Sequence, residues 1–250
     1  MAQAHERVAH LRDFRVVELR RYRVKAGTGQ AFGRYFESFF PEAFQQLGSI
    51  IFGQFLERAD PTVFTWLRGF RDMAALGAVK QAFYDGPLWK EHGPTMNERL
   101  VDFSDALLLR PVGADREVLL LPAVDPVREA DGPRGVVVAQ IFAVVPGQED
   151  ALLHVAERTF AGYRAAGARE AAVLGTLDVP NTFPRHPFRS DGPFLVWLGI
   201  LPDDQLLARR FQPEAARCAR ELSVAGFLRA PAELVVLDPT PRSRMRWQPG

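Results

Sequence analysis

Residues 16–25 (VVELRRYRVK) precede Gly27 and a helical pattern, and residues 136–145 (VVVAQIFAVV) precede Gly147 and another, an offset of 120. A glycine closes each helical stretch, Gly48 and then Gly167, and an extended run follows each, residues 50–59 and 171–179. Residues 63–70 (VFTWLRGF) and 194–201 (FLVWLGIL) share Trp-Leu at Trp66 and Trp197, 131 apart because residues 178–193 replace the short connection 58–62. Both copies end in a strand closed by proline, residues 105–111 and 232–239. An internal repeat constrains architecture more than any local propensity. Each copy reads β-α-β-β-α-β, the ferredoxin-like split unit, an antiparallel sheet with helices on one face. The other face must also leave water, and the second copy can cover it. The predicted fold is α+β: a tandem duplication whose two antiparallel sheets close into one barrel-like sandwich, helices outside. The predicted divisions are 14–111 for the first repeat, 112–135 for a linker, 136–240 for the second repeat and 241–250 for a tail.

In the first helix Phe32, Tyr35, Phe36, Phe39, Phe40, Ala43, Phe44 and Leu47 recur at three- and four-residue spacing, one wide apolar face. Leu152, Val155, Ala156, Thr159, Phe160 and Tyr163 form the matching stripe in the second copy. Pro41 lacks an N–H for the carbonyl of Glu37, so a kink or a break is expected there. The linker's apolar part, residues 118–121, is expected to pack as an extended strap. Along the first strand Val17 and Leu19 alternate with Glu18, Arg20 and Tyr22, and a period of two sends the two sets to opposite faces. Phe64, Trp66, Arg68 and Phe70 share a face of the third strand. The first and third strands are neighbours in this unit, so Glu18, Arg20, Tyr22, Trp66 and Arg68 are expected to converge in the barrel interior. Two readings stand: they line a ligand cavity, or they face solvent or form a satisfied ion-pair network within the sheet. The second copy has Val138, Gln140 and Phe142 at the Glu18, Arg20 and Tyr22 positions, and Gly199 at that of Arg68.

Glu18, Leu19, Arg20 and Tyr22, residues 64–70 with Asp72 and Met73, and the run Ala82, Phe83, Tyr84, Gly86, Pro87, Trp89, Lys90, His92, Asn97, Asp102, Asp105 and 107–111 correspond in position to one family's first-repeat motifs. Asn181, Thr182, Phe183, Pro184, Arg185, His186, Pro187, Phe188 and Arg189 follow its second-repeat segment. On these stretches the chain resembles the NIPSNAP family from about residue 16 to 239, with departures at Gly93, Asp105 and His186. The resemblance implies a dimeric α/β-barrel. Its wider superfamily holds haem-dependent enzymes, cofactor-free monooxygenases, cyclases and stress-response proteins, and some bacterial relatives sit beside biosynthetic genes. Fold alone does not transfer function.

The expected function is binding of a small, partly apolar molecule between the sheets, as a biosynthetic enzyme of oxygenase, cyclase or isomerase type that needs no nucleotide cofactor. The alternatives are a non-catalytic binding or scaffold protein and a haem enzyme using His92. The candidate catalytic residues are His92, Arg68 and Glu18, with Arg20, Tyr22, Phe64, Trp66, Asn97, Asn181, Phe183, Arg185 and Arg189 binding substrate. In WKEHGP, His92 reads as a proton carrier or axial ligand near the end of a helix stopped by Gly93 and Pro94, or as a cap for that helix's last carbonyls. Asn97 reads as an orienter of a carbonyl or as a turn amide. Arg185 and Arg189 sit in a proline-rich insertion expected to fold over the barrel mouth, where guanidinium forks would suit a carboxylate or phosphate, or to pack the repeats together.

GxSxG, GxxxxGK[ST] and GxGxxG do not occur, so hydrolase-elbow, P-loop and Rossmann chemistry have no motif here. Lysine and arginine total 31 against 30 acidic residues, which gives no global field for nucleic acid or a membrane surface. A single cysteine, Cys218, and the absence of an apolar segment near Met1 or of any run of about 18 apolar residues point to a cytoplasmic protein. The histidines and Cys218 lack metal-ligand spacing, so no metal is expected. Lysines are rare, namely Lys25, Lys80 and Lys90. The tail, with Arg242, Arg244, Arg246 and Trp247, reads as a disordered or partner-clasping end. A homodimer is compatible with the pattern.

Overall fold

A computed structural model describes residues 13–112, 117–125 and 127–248. The first half runs β1 (Val16–Val24), α1 (Gly29–Gln46), β2 (Ile50–Glu57), β3 (Val63–Phe70), α2 (Met73–Tyr84), α3 (Pro87–Asn97), β4 (Leu100–Asp102) and β5 (Ala106–Pro111). The second runs β6 (Val136–Ala143), α4 (Glu149–Ala165), β7 (Arg169–Thr176), β8 (Phe194–Leu201), a short α5 (Asp204–Leu206), a π-helical turn at Leu207–Phe211, α6 (Gln212–Val224) and β9 (Glu233–Pro239). Pairing follows β1–β3–β2–β9–β6–β8–β7–β5 and returns to β1, so eight antiparallel strands close a barrel, with β4 added beside the end of β1. The β-α-β-β-α-β order occurs in both halves, with α3 and β4 added to the first. Gly48 and Gly167 end α1 and α4 with φ of +93° and +95°, a backbone region that a side chain disfavours.

Strand alternation decides what fills the barrel. Val17, Leu19, Leu67, Leu107 and Leu109 meet Val137, Ala139, Val196, Leu198 and Leu237 in one buried apolar cluster shared by both halves. Burial of that surface at about 25 cal/mol per Å² is what joins the halves. The other sheet face packs on helices: Val16, Tyr22, Phe64, Trp66 and Phe70 against Phe32, Phe36, Phe40 and Phe44 of α1. The expectation that Glu18, Arg20, Tyr22, Trp66 and Arg68 occupy the barrel interior is therefore corrected. They do converge, but between sheet and helices, and the space between the sheets is a filled apolar core. Both faces of β1 and β3 are buried, so alternation separates two sets without saying which one faces helices.

Helix α1 runs unbroken through Pro41. The carbonyl of Glu37 that Pro41 cannot serve accepts a hydrogen bond from the guanidinium of Arg242. The Glu37 carboxylate accepts from Thr240 Oγ1 at 2.5 Å, from the backbone N–H of Arg242 at 2.7 Å and from Gln54 Nε2 at 3.1 Å. The tail is thus a structural element through residue 248, contrary to the expected disordered or clasping end. Met245 is buried in the barrel core, and Arg246 is ion-paired to Glu129 of the linker at 2.5 Å. Leu119 and its neighbours form the predicted strap, with the Leu119 N–H donating to Ala171 at 2.7 Å. Among the described residues no helix is long and apolar enough to cross a membrane.

Candidate functional site

Antiparallel register sets Glu18 opposite Arg68, Arg20 opposite Trp66 and Tyr22 opposite Phe64. Four charged side chains, Glu18, Arg20, Arg68 and Lys80, are completely buried there. Glu18 Oε2 accepts from Arg68 Nε at 2.6 Å and from Arg20 Nε at 3.0 Å, while Oε1 pairs with Lys80 Nζ. Lys80 arrives from α2, whose buried stripe is Leu76, Val79, Lys80 and Phe83. Burial alone would raise the Glu18 pKa, but Arg20, Arg68 and Lys80 outweigh it and hold the carboxyl well below its ordinary range. Burial, reinforced by both guanidinium groups and opposed by Glu18, pushes Lys80 down to about 7. The four terminal guanidinium nitrogens of Arg20 and Arg68 are buried without a hydrogen-bond partner among the described residues. Aromatic rings enclose them: Arg68 lies 4.8 Å from the ring centres of both Phe44 and Trp66, and Arg20 lies 5.2 Å from that of Phe188.

Next to this cluster is a cavity of about 230 Å³ between sheet and helices. Tyr22, Phe36, Phe44, Trp66, Phe83, Tyr84 and Trp89 form its walls, and Asn97, Arg185 and His186 its polar edge. Two wall groups, Trp66 Nε1 and His186 Nδ1, are buried without a partner. Burial, with the charges of Arg20, Arg68 and Lys80 added, drives the His186 pKa down to about 2, so the ring is neutral. Burial also raises the pKa of the Tyr22 hydroxyl, keeping it a proton donor.

His186 belongs to the insertion between β7 and β8, so the second half supplies part of the first half's site. The insertion lies over this sheet–helix pocket, not over the barrel mouth as expected. Asn181 clasps it, donating from Nδ2 to the His186 carbonyl at 3.0 Å and accepting from the Phe183 N–H at 2.9 Å. Phe183 is buried over Lys80 and stacks on Tyr84 at 5.7 Å. Arg185 reaches the cavity edge, paired with Asp85 at 3.0 Å. Arg189 binds Asp191 at 2.8 Å and Asp105 at 3.4 Å, away from the cavity, and holds the insertion down. Phe64 is packed against Phe32 and Phe36 behind the cavity wall.

His92 does not join the cluster. Helix α3 continues through Gly93 and Pro94 to Asn97, so His92 neither ends nor caps it. Its ring stacks on Phe39 at 3.8 Å, and Nδ1 is 2.9 Å from the Tyr35 hydroxyl. It does not line the cavity beside the cluster. Lys80 and His186 are the members that sequence reasoning left out of the site. Lys80 carried a signal, a rare lysine placed on the apolar stripe of a helix.

The second half keeps the frame and loses the site. Val138 pairs with Gly199, and Gln140 with Trp197. Asp203 caps its helix on the Leu206 N–H at 2.8 Å as Asp72 does on Ala75 at 2.7 Å. The same offset of 131 that relates these caps and Trp66 to Trp197 sets Phe211 in the place of Lys80. The Trp197 N–H donates to Glu170 at 2.9 Å, and its ring stacks on Phe211 at 5.5 Å. Cys218 is buried nearby with its thiol pushed up to about 11 by that burial, which leaves it a poor nucleophile.

The fold is that of dimeric α/β-barrel proteins. An anthrone oxidase-like protein aligns over 91% of this chain and 92% of its own, with a TM-score of 0.59 at 16% identity. A candidate monooxygenase from Lactobacillus acidophilus aligns over 90% and 94%, with a TM-score of 0.57 at 13% identity. Several NIPSNAP structures also match over part of the chain. One NIPSNAP-like domain protein from Burkholderia xenovorans covers 46% of this chain and 98% of its own, with a TM-score of 0.39 at 20% identity. At these identities the likeness is one of fold. No protein-family model and no curated protein matches the chain.

Proposed function

We propose that the chain binds a small, partly apolar molecule in the aromatic cavity of its first half and acts on it as a biosynthetic enzyme of oxygenase, cyclase or isomerase type without a nucleotide cofactor. The observation that carries this reading is the pairing of an aromatic-walled cavity with a buried, incompletely satisfied cationic cluster in one half, while the other half fills the same space. Apolar walls with a few converging polar groups are how ligand pockets are built. Tyr22 and the Trp66 N–H would orient a carbonyl or hydroxyl. The cationic cluster would favour negative charge that develops on a substrate oxygen, an effect strengthened where water is excluded. That anthrone oxidase-like and candidate monooxygenase proteins share the fold supports the oxygenase option by analogy only.

The test uses two planar probes, 2-naphthoate and 2-naphthalenemethanol, titrated against tryptophan fluorescence. Binding by wild type that is lost in Leu100→Trp, which narrows the cavity at its rim, supports the site. Binding unchanged in that variant places the ligand elsewhere. Anthrone supplied with dioxygen tests turnover, since conversion to anthraquinone and water takes up one dioxygen per anthrone. A probe bound without turnover of any enolisable substrate favours the non-catalytic binding reading.

A further inference from the structure

Resting on that reading of the cavity, we infer that the ligand of the first half is an organic carboxylate, its ring-bearing body in the aromatic cavity and its carboxylate received by the free guanidinium edges of Arg20 and Arg68. Charge is the first argument. Glu18 is the one carboxylate in contact with Arg20, Arg68 and Lys80 among the described residues, so the cluster keeps an excess of positive charge whether or not Lys80 is protonated. An uncompensated buried cation is costly, and water can fill donors without removing the charge. An anion does both.

Geometry narrows the anion. Glu18 binds both guanidinium groups through Nε, which leaves the two Nη nitrogens of each as buried forks without a hydrogen-bond partner among the described residues. Planar forks match a carboxylate through paired hydrogen bonds. Their surroundings are Phe44, Trp66, Phe70 and Phe188, rings that disfavour a bare, strongly hydrated inorganic anion and suit one attached to an apolar body. Glu18 is here a positioning residue.

His186 is near both cavity and forks. It lines the cavity, its Nδ1 is unpaired, and it lies close enough to Arg20, Arg68 and Lys80 to feel their charge. Being neutral, it does not compete with the guanidinium groups for the anion. The second half provides the internal control: Val138, Gln140, Gly199 and Phe211 carry no charge where Glu18, Arg20, Arg68 and Lys80 stand.

The experiment is isothermal titration of the full chain with 2-naphthoate and with its uncharged analogue 2-naphthalenemethanol. Wild type is expected to bind the carboxylate at least about tenfold more tightly, the scale of charge-assisted hydrogen bonds. Arg68→Met is expected to erase that preference while leaving the alcohol's affinity unchanged, which also shows that the cavity is still folded. Lys80→Met keeps the preference, because the forks and not the ammonium receive the carboxylate. Equal affinity of wild type for both probes, or a preference that survives both Arg68→Met and Arg20→Met, overturns the inference and leaves the cavity reading standing. Failure of both probes to bind overturns both.

Discussion

Trp66 and Trp197 occupy the same place in the two halves and meet opposite fates. Gly199, two residues beyond Trp197, is what lets that indole lie down: a Cβ there would come within 2.1 Å of its ring. Trp197 then fills its half, with its N–H satisfied by Glu170 and its face on Phe211. Gln140 is held by the Tyr163 hydroxyl and by donation to the Ala215 carbonyl at 3.1 Å. In the first half Arg68 takes the glycine's place, Trp66 cannot collapse the same way, and a cavity remains beside charges that are not fully paired. One frame thus supports a half optimised for packing and a half that gives up packing for a site. Close-packed interiors make that loss expensive, which is why the proposed site lies in the first half.

Removing the single anion should do the most damage. Glu18→Leu leaves Arg20 and Arg68 buried without a counter-charge and is expected to destabilise by about 3–5 kcal/mol in urea unfolding. The next test converts the first half into a copy of the second: Glu18→Val, Arg20→Leu, Arg68→Gly and Lys80→Phe together. Leucine replaces Arg20 because Phe44 offers no hydroxyl of the kind that Tyr163 gives Gln140. This quadruple variant is expected to be more stable than Glu18→Leu by about 2 kcal/mol or more, since well-packed apolar groups commonly equal or exceed a buried ionic cluster. A quadruple variant less stable than the single one would break the comparison. Gly199→Ala attacks the packed half and should cost about 1–3 kcal/mol through the clash with Trp197.

A pH dependence sharpens the role of the insertion. His186 has a folded pKa of about 2 against an ordinary value of 6.5, so between these values the unfolded chain binds the extra proton. Its contribution is whole above pH 6.5 and is lost as pH falls toward 2. Unfolding midpoints measured from pH 7 to 4 should fall more steeply in wild type than in His186→Leu, with equal slopes sinking the assignment.

Much of the fold was legible. Repeat offsets, helix-ending glycines and two-residue strand alternation are local signals, and the closed barrel follows from two sheets each needing a cover. The clustering of Glu18, Arg20 and Arg68 was legible too, because alternation and the neighbouring of β1 and β3 suffice for it. Their side of the sheet was not, since apolar and polar sets both end up buried. His92 misled because Gly93 and Pro94 usually stop a helix, whereas here the helix passes through both.

Taken by itself, then, the order of residues determined the two-copy architecture, the charged stripe and the loss of that stripe in the second copy, all through short-range periodicity. Tertiary structure alone decided that the stripe meets helices, that Lys80 closes it, and that His186 arrives from the opposite half. Those contacts join residues far apart in the chain, and packing volume and charge balance, which no local pattern encodes, select among the ways they could meet.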